Sequence, residues 1–300
     1  MTVILKQGST GHRHDWYSFL EKVSDNRIDF VNENSSFFEL IKVKQKVIIS
    51  FFDASKYKFL LLIILRGIIL RKTGALYFSW SNKKSPNFFS CKIIEYYFFK
   101  SIAAFMGIKL ITPKFRENTK FLIDINFIDL EDGDKKSYEL IKYDFAFFGS
   151  LVEEKNIDIF LEIAKKISSR KTILIQSGSK ISDNLRTKIE SIPKLTFINK
   201  RLDKNDYLSL IKQTNFIWAY YDRYYDQSSG LVGHALQLNK NVIIRKNSLL
   251  GNLQFPNLLK LNSFQEVFEY FDDHSVQSKH TIDLHEFKEL EICKWKNFLS

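Results

Sequence analysis

The sequence predicts an α/β fold built as two successive lobes, and three observations carry that prediction. At 300 residues the chain is longer than one hydrophobic core usually serves. Short apolar runs of strand length alternate with stretches of helix length, the pattern of a parallel sheet covered on both faces. Near the midpoint the polar run Glu131-Asp132-Gly133-Asp134-Lys135-Lys136 interrupts the alternation, which begins afresh at Phe145. The expected division is residues 1–140, residues 141–285, and a final helix over 286–300 that packs back toward the first lobe.

In the first lobe, residues 3–6 form a strand, and Gln7 to Gly11 a glycine-bearing turn before a helix over about residues 15–23. Residues 47–52, apolar except for Ser50, read as a buried parallel strand that ends at Asp53. Residues 75–80 and 108–112 are further strands. An aromatic-rich helix over 91–106 lies between them, stopped by Gly107. The second lobe repeats the alternation. Strands are expected at 145–148, 172–176, 195–198, 216–220 and 241–245, and helices at 157–167, 185–190, 206–212, 229–238, 264–271 and 284–299.

Composition narrows the function classes. With 45% hydrophobic and 26% charged residues the chain is globular rather than disordered. Its two cysteines, Cys91 and Cys293, are too far apart for a CxxC metal or redox motif, which fits a reducing, cytoplasmic setting. The first residues show no basic, apolar and small-residue succession of a secretory leader. The net charge of +11 is one-sided: residues 1–116 hold 19 Lys and Arg against 8 Asp and Glu, while residues 117–300 carry 26 of each. A one-sided basic field points to an anionic partner such as a membrane surface, a lipid pyrophosphate or nucleic acid. Coding bias toward Lys, Asn, Ile and Phe is the plain alternative, although bias alone would not confine the excess to one lobe. The apolar stretch 59–70 is too short to span a bilayer and is interrupted by Arg66; it reads either as an interfacial helix or as a buried crossover.

The chemistry is expected where strands meet helix N-termini, because free first-turn amides and the helix dipole bind phosphate. The strongest such segment leaves the strand at Tyr220, crosses a polar loop, and enters a helix through Ser228-Ser229-Gly230. Serine is a good N-cap, and glycine lets an anion approach the backbone. A capped helix in any α/β lobe would look similar on these grounds alone. The segment from Asp226 to Ile243, with Ser228-Ser229-Gly230 opening a helix and His234 eight residues after Asp226, resembles the donor-site signature of the "glycosyl transferases group 1" superfamily. A second segment, Phe147-Phe148-Gly149-Ser150 through Lys155-Asn156, is similar to that family's GRLxxxKN loop. The likeness covers about residues 144–250.

The resemblance implies the GT-B architecture, two Rossmann-like lobes facing a central cleft, with residues 141–285 as the nucleotide-sugar lobe and residues 1–140 as the acceptor lobe. It implies donor contacts from Gly149, Ser150, Lys155, Tyr220, Asp226, Ser228, Ser229, Gly230 and His234, with Lys155 on the pyrophosphate. Both glutamates of the family's E-x7-E pair are replaced, by Asp226 and His234, and the loop arginine by Ser150. In the first lobe His12, His14 and Asp15 follow the glycine-bearing turn and Asp53 follows the next strand, so these four are the candidate catalytic bases. Asp132-Gly133-Asp134 has metal-site spacing but sits in a lysine-flanked polar loop, so no metal and no cofactor are expected.

The expected activity is transfer of a sugar from a nucleoside-diphosphate sugar to a glycan or lipid-linked acceptor, with inversion or retention left open. The expected setting is bacterial capsule, O-antigen or exopolysaccharide synthesis, with peripheral contact to the anionic inner face of the plasma membrane and no nucleic-acid partner. The alternative is a non-catalytic subunit that keeps a degenerate donor site as scaffold.

Overall fold

The computed structural model describes residues 2–6, 12–24, 28–32, 37–49, 61–62, 64–66, 69, 73–76, 109–111, 125–130, 139–223, 229–248, 250–272 and 284–299. The chain divides into two compact units. The first comprises residues 1–125, 226–228 and 285–300, and the second residues 126–225 and 229–284.

The first unit carries a five-stranded, all-parallel sheet of β1 (Thr2–Lys6), β2 (Ile28–Asn32), β3 (Lys46–Ile49), β4 (Thr73–Leu76) and β5 (Lys109–Ile111), in the order β2-β1-β3-β4-β5. Helix α1 (His12–Val23) follows β1, and the short α2 (Phe37–Lys42) follows β2. β2 and α2 were not expected from the sequence. β2 reads Ile-Asp-Phe-Val-Asn, in which the polar Asp29 and Asn32 interrupt the apolar run that marks a buried parallel strand. The final helix, α8 (His285–Leu299), belongs to this unit. Its Trp295 packs edge-on against Trp16 and Phe19 of α1 at 5.4 and 5.9 Å.

Residues 61–62 and 64–66 are helical. Arg66, which looked like a break in an apolar run, is fully buried. Its guanidinium donates to the carbonyls of Leu40, Val43 and Gln45 at 2.7, 2.9 and 2.9 Å. These carbonyls lie at and beyond the C-terminal end of α2, where orphan C=O groups and the helix dipole favour a cation. Arg66 is therefore a buried clamp of this unit. Among its described neighbours, Leu61 and Ile69 remain about half exposed.

The second unit carries six parallel strands: β6 (Tyr143–Phe148), β7 (Ile173–Ser177), β8 (Leu195–Asn199), β9 (Thr214–Ala219), β10 (Asn241–Arg245) and β11 (Leu258–Leu261). Their order is β11-β10-β9-β6-β7-β8. Among the described residues five helices flank or follow them: α3 (Ile157–Ile167), α4 (Asp183–Glu190), α5 (Lys204–Lys212), α6 (Gly230–Gln237) and α7 (Phe264–Asp272). β11, a four-residue strand containing Lys260, was not expected from the sequence.

The core forms because β6 and β7 are apolar on both faces while α3 is amphipathic. α3 buries Ile157, Phe160, Leu161, Ile163, Ala164 and Ile167, spaced at helical intervals along one face. Phe145 on β6 is the hub, with its ring 4.6 Å from Phe160, 4.9 Å from Phe271 and 5.9 Å from Trp218. Burying each such aromatic contributes about 1.5–3 kcal/mol. This rigid sheet fixes the loops at its carboxyl edge.

Candidate functional site

The second unit's strand order reverses between β6 and β9. Open parallel sheets bind ligands outside the carboxyl ends of the strands at such a switch point. The chain leaves β6 into Gly149, which has a φ of +97°. That backbone conformation disfavours any side chain, and a Cβ there would also lie 2.8 Å from the Lys155 ammonium, which would have to move aside.

The loop that follows is stitched to the end of β9. Trp218 Nε1 donates to the Lys155 carbonyl at 2.9 Å, Asn156 Nδ2 to the Tyr220 carbonyl at 2.7 Å, and the Asp222 N–H to the Glu154 carbonyl at 2.8 Å. These bonds fix Lys155 at the switch point. Its Nζ stands 5.5 Å from the centre of the Tyr221 ring, and no ion pair among the described residues includes it. Burial pushes its pKa down to about 8. An enclosed ammonium without a carboxylate is an anion site in waiting.

The Tyr221 hydroxyl lies 3.4 Å from Ser229 Oγ, and the same oxygen caps α6 by accepting from the Val232 N–H at 3.4 Å. One aromatic side chain thus links the lysine to the N-terminus of α6. Gly230 and Gly233 face the segment 125–130. A Cβ on Gly233 would lie 2.3 Å from the Asn126 carbonyl oxygen, and one on Gly230 would lie 3.2 Å from the Asn126 side chain. These glycines therefore admit residue 126 against the helix. Gln237 completes the join, donating to the Asn126 carbonyl at 2.7 Å and accepting from the Leu130 N–H at 3.1 Å.

Beside this join lies a second polar cluster. His234 Nε2 is 3.3 and 3.4 Å from the two carboxylate oxygens of Asp129, while its Nδ1 is enclosed without a partner. Lys204 Nζ lies 3.6 Å from Asp129 Oδ2, and Gln237 Nε2 donates to Oδ1 at 3.3 Å. Burial alone would raise the Asp129 carboxyl, but the hydrogen bond and charge of His234, the charge of Lys204 and the Gln237 amide outweigh it and hold the group below its usual range. The Tyr207 ring stands 6.0 Å from the His234 ring. Burial, followed by the Tyr221 and Asp129 charges, raises its phenol well above the ordinary range.

Comparison of this structure with solved ones gives many matches. HepE of Anabaena, solved in complex with UDP, superposes with a TM-score of 0.60 over 100% of this chain and 94% of its own, at 11% identity. A glycosyltransferase from Rickettsia africae superposes with a TM-score of 0.58 over the same shares, at 12% identity. The chain has the GT-B glycosyltransferase fold. AviGT4, a glycosyltransferase involved in avilamycin A biosynthesis, superposes with a TM-score of 0.53 over 98% of this chain and 92% of its own, at 8% identity. No family model matches the sequence, and no curated protein matches it either.

Within this GT-B fold the expected donor residues take distinct places. Gly149, Ser150 and Lys155 lie on the loop after β6, and Ser229 and Gly230 open α6. Tyr220 and Tyr221 are equally buried, but Tyr220 packs in the core cluster with its hydroxyl donating to the Asn262 carbonyl at 3.0 Å, whereas the ring that faces Lys155 is that of Tyr221. His234 is 7% exposed and its accessible nitrogen is spent on Asp129. Asp226 and Ser228 lie outside the described residues, as do Asp53, Asp132 and Asp134.

In the first unit α1 begins at His12, so His12, His14 and Asp15 stand in its first turns, directly after the β1 loop. The strand that precedes α1 in the chain, β1, stands at the β1–β3 reversal of the five-stranded sheet. Sequence reasoning missed Asp129, Lys204 and Tyr207. For Asp129 the sequence trace is the Gly230–Gly233 spacing, which signals the close approach of residues 126 and 127 without naming them.

Proposed function

We propose that the chain is a glycosyltransferase that takes a sugar from a nucleoside-diphosphate donor and passes it to a glycan or lipid-linked acceptor in surface-polysaccharide synthesis. The single observation that carries this reading is the unpaired, enclosed ammonium of Lys155 at the switch point, joined through Tyr221 to the N-terminus of α6. Two solved complexes of one neighbour in fold support the donor class: HepE of Anabaena is solved with UDP and also with UDP-glucose.

In this reading the donor diphosphate is held by Lys155 and by first-turn amides of α6. The bond that breaks joins the anomeric carbon to a phosphate oxygen, and the charge left on that oxygen is what the fixed cation and amides stabilise. Losing one such donor typically costs about a hundredfold to a thousandfold in rate. No divalent ion takes part. The acceptor hydroxyl loses its proton to His12, His14, Asp15 or Asp53 if the anomeric centre inverts, or to the departing phosphate if it is retained.

A thermal-shift screen of the full chain against UDP, GDP and their common hexose conjugates tests the reading. A donor at a hundredfold over its dissociation constant should stabilise the protein by about 2.7 kcal/mol. No shift with any of them would sink the transferase reading in favour of a non-catalytic scaffold.

A further inference from the structure

Resting on that reading, we propose that Asp129 is a specificity residue that accepts hydrogen bonds from a pair of hydroxyls on the donor, and that His234 is its positioning residue rather than a ligand contact. The shared chemistry is a neighbouring hydroxyl pair, supplied either by the ribose or by the transferred sugar.

The argument begins with what His234 can offer. Its Nε2 is engaged by both oxygens of Asp129, its Nδ1 is enclosed, and the residue is 7% exposed. It has no free polar edge for a ligand, but it does orient a carboxylate. Asp129 differs. It receives three nitrogen donors, from His234, Lys204 and Gln237, all at 3.3–3.6 Å. Charge-assisted N–H···O contacts close at about 2.7–2.9 Å, and an ionised carboxylate has about four acceptor positions. The group is therefore oriented without being saturated.

A purely structural duty, pinning segment 125–130 to α6, is already met by Gln237 through Asn126 and Leu130 and by the tight Gly233 contact. Nor is this a metal site, since no group of three or more acidic, histidine or cysteine ligands occurs among the described residues.

Position gives the carboxylate its role. His234, which holds Asp129, lies on the helix that Ser229 caps, with the Tyr207 ring 6.0 Å from its own, and Tyr221 lies under Lys155 and touches that cap. One end of this continuous patch calls for an anion. The other repels an anion and calls for neutral O–H donors. A ligand with a diphosphate and, a few bonds away, a diol satisfies both ends. Lys204, about half exposed, tempers the carboxylate's charge, and the Asp129 side chain keeps 9% of its surface exposed, which is the edge left for a hydroxyl donor.

The test is calorimetric titration of the full chain with UDP, 2′,3′-dideoxy-UDP and UDP-glucose, and with the guanosine set in parallel, for wild type and Asp129→Asn. A ribose contact predicts that the wild type binds the ribonucleotide about tenfold to a hundredfold more tightly than its dideoxy form, and that Asp129→Asn removes this preference. A sugar contact predicts no dideoxy penalty, but a gain for UDP-glucose over UDP that Asp129→Asn abolishes. His234→Gln, which keeps an N–H donor toward Asp129, should retain more of the preference than His234→Leu.

A folded Asp129→Asn that binds all three ligands as the wild type does would overturn the proposal and leave a structural pair. Should that variant not fold, wild-type discrimination still decides. Equal affinity for UDP, its dideoxy form and UDP-glucose overturns the proposal while the transferase reading stands. Absence of any nucleotide binding overturns the transferase reading itself.

Discussion

The ammonium of Lys155 lies 5.5 Å from the centre of the Tyr221 ring, and the Tyr221 hydroxyl lies 3.4 Å from the N-cap oxygen of Ser229. This one relationship joins two features that are 74 residues apart in sequence, a loop lysine and a helix N-terminus. Replacing Lys155 by Ala removes the enclosed cation and leaves only helix amides for a diphosphate. UDP or GDP affinity should fall about tenfold to a hundredfold, the worth of one charge-assisted contact. Titration of a folded K155A protein measures it, and an unchanged dissociation constant would remove Lys155 from the site.

The same lysine sets a pH dependence. Its folded pKa is lowered to about 8 by burial, so in the free protein the ammonium is charged below pH 8 and loses its proton above it. A bound diphosphate favours the charged form. Affinity should therefore be flat from pH 7 to about 8 and then fall, by about tenfold at pH 9, because binding must then take up a proton. The ligand's own terminal phosphate ionises near pH 6 and is constant over this range. Calorimetry at pH 9 in buffers of different ionisation enthalpy should show net proton uptake. K155A should lose both the slope and the uptake.

Gly233 offers a test of the join between segment 125–130 and α6. A Cβ at this position would meet the Asn126 carbonyl oxygen at 2.3 Å and its carbon at 2.6 Å, and these backbone atoms cannot swing aside as a side chain can. Gly233→Ala should destabilise the second unit by about 1–3 kcal/mol. At Gly230 the nearest atoms, at 3.2 Å, belong to the Asn126 side chain. Gly230→Ala should therefore be close to neutral, with the strain offset by up to about 1 kcal/mol of helix propensity. Urea midpoints of the two variants test the contrast, and equal losses would contradict it.

The parts that could be read in the sequence share a physical reason. β6, β7 and β9 are apolar on both faces, so their runs stand out, and Ser229 and Lys155 sit in local patterns whose chemistry is visible at short range. β2 and β11 escaped because Asp29 and Lys260 break strands of five and four residues that are completed only by pairing with β1 and β10. Asp129 escaped for a related reason. It lies 105 residues from His234, and nothing local to residues 125–130 distinguishes a docked segment from a linker. Tyr220 and Tyr221 illustrate the limit in one dipeptide: the hydroxyl of the first reaches the Asn262 carbonyl while the ring of the second faces Lys155, and nothing in the pair of letters tells them apart.

Metal dependence gives the fourth expectation. With Lys155 and the α6 amides carrying the leaving charge, transfer should persist in EDTA at close to its full rate. Loss of activity in EDTA, restored by Mn²⁺ or Mg²⁺, would transfer that task to an ion and make Asp132 and Asp134 its first candidate ligands.

The last expectation concerns the membrane. All of the net charge of +11 resides in residues 1–116. Arg66 is not part of any exposed face, because it is fully buried against three carbonyls, so the surface field must come from the other cations of this segment. The flanking Leu61 and Ile69 are about half exposed and add apolar area of the kind that rests in a headgroup layer. No helix among the described residues is long and apolar enough to cross a membrane. If the acceptor is lipid-linked, attraction should therefore be peripheral, at about 1 kcal/mol for each basic residue near an anionic leaflet. It should weaken steeply as the screening length shrinks from about 30 Å at 0.01 M salt to about 8 Å at 0.15 M. Flotation of the full chain with phosphatidylserine-containing vesicles at those two salt concentrations measures it. Binding at low salt that is lost at the higher concentration is the expected result. A full chain that ignores anionic vesicles even at low salt would assign the basic segment to coding bias and point to a soluble acceptor.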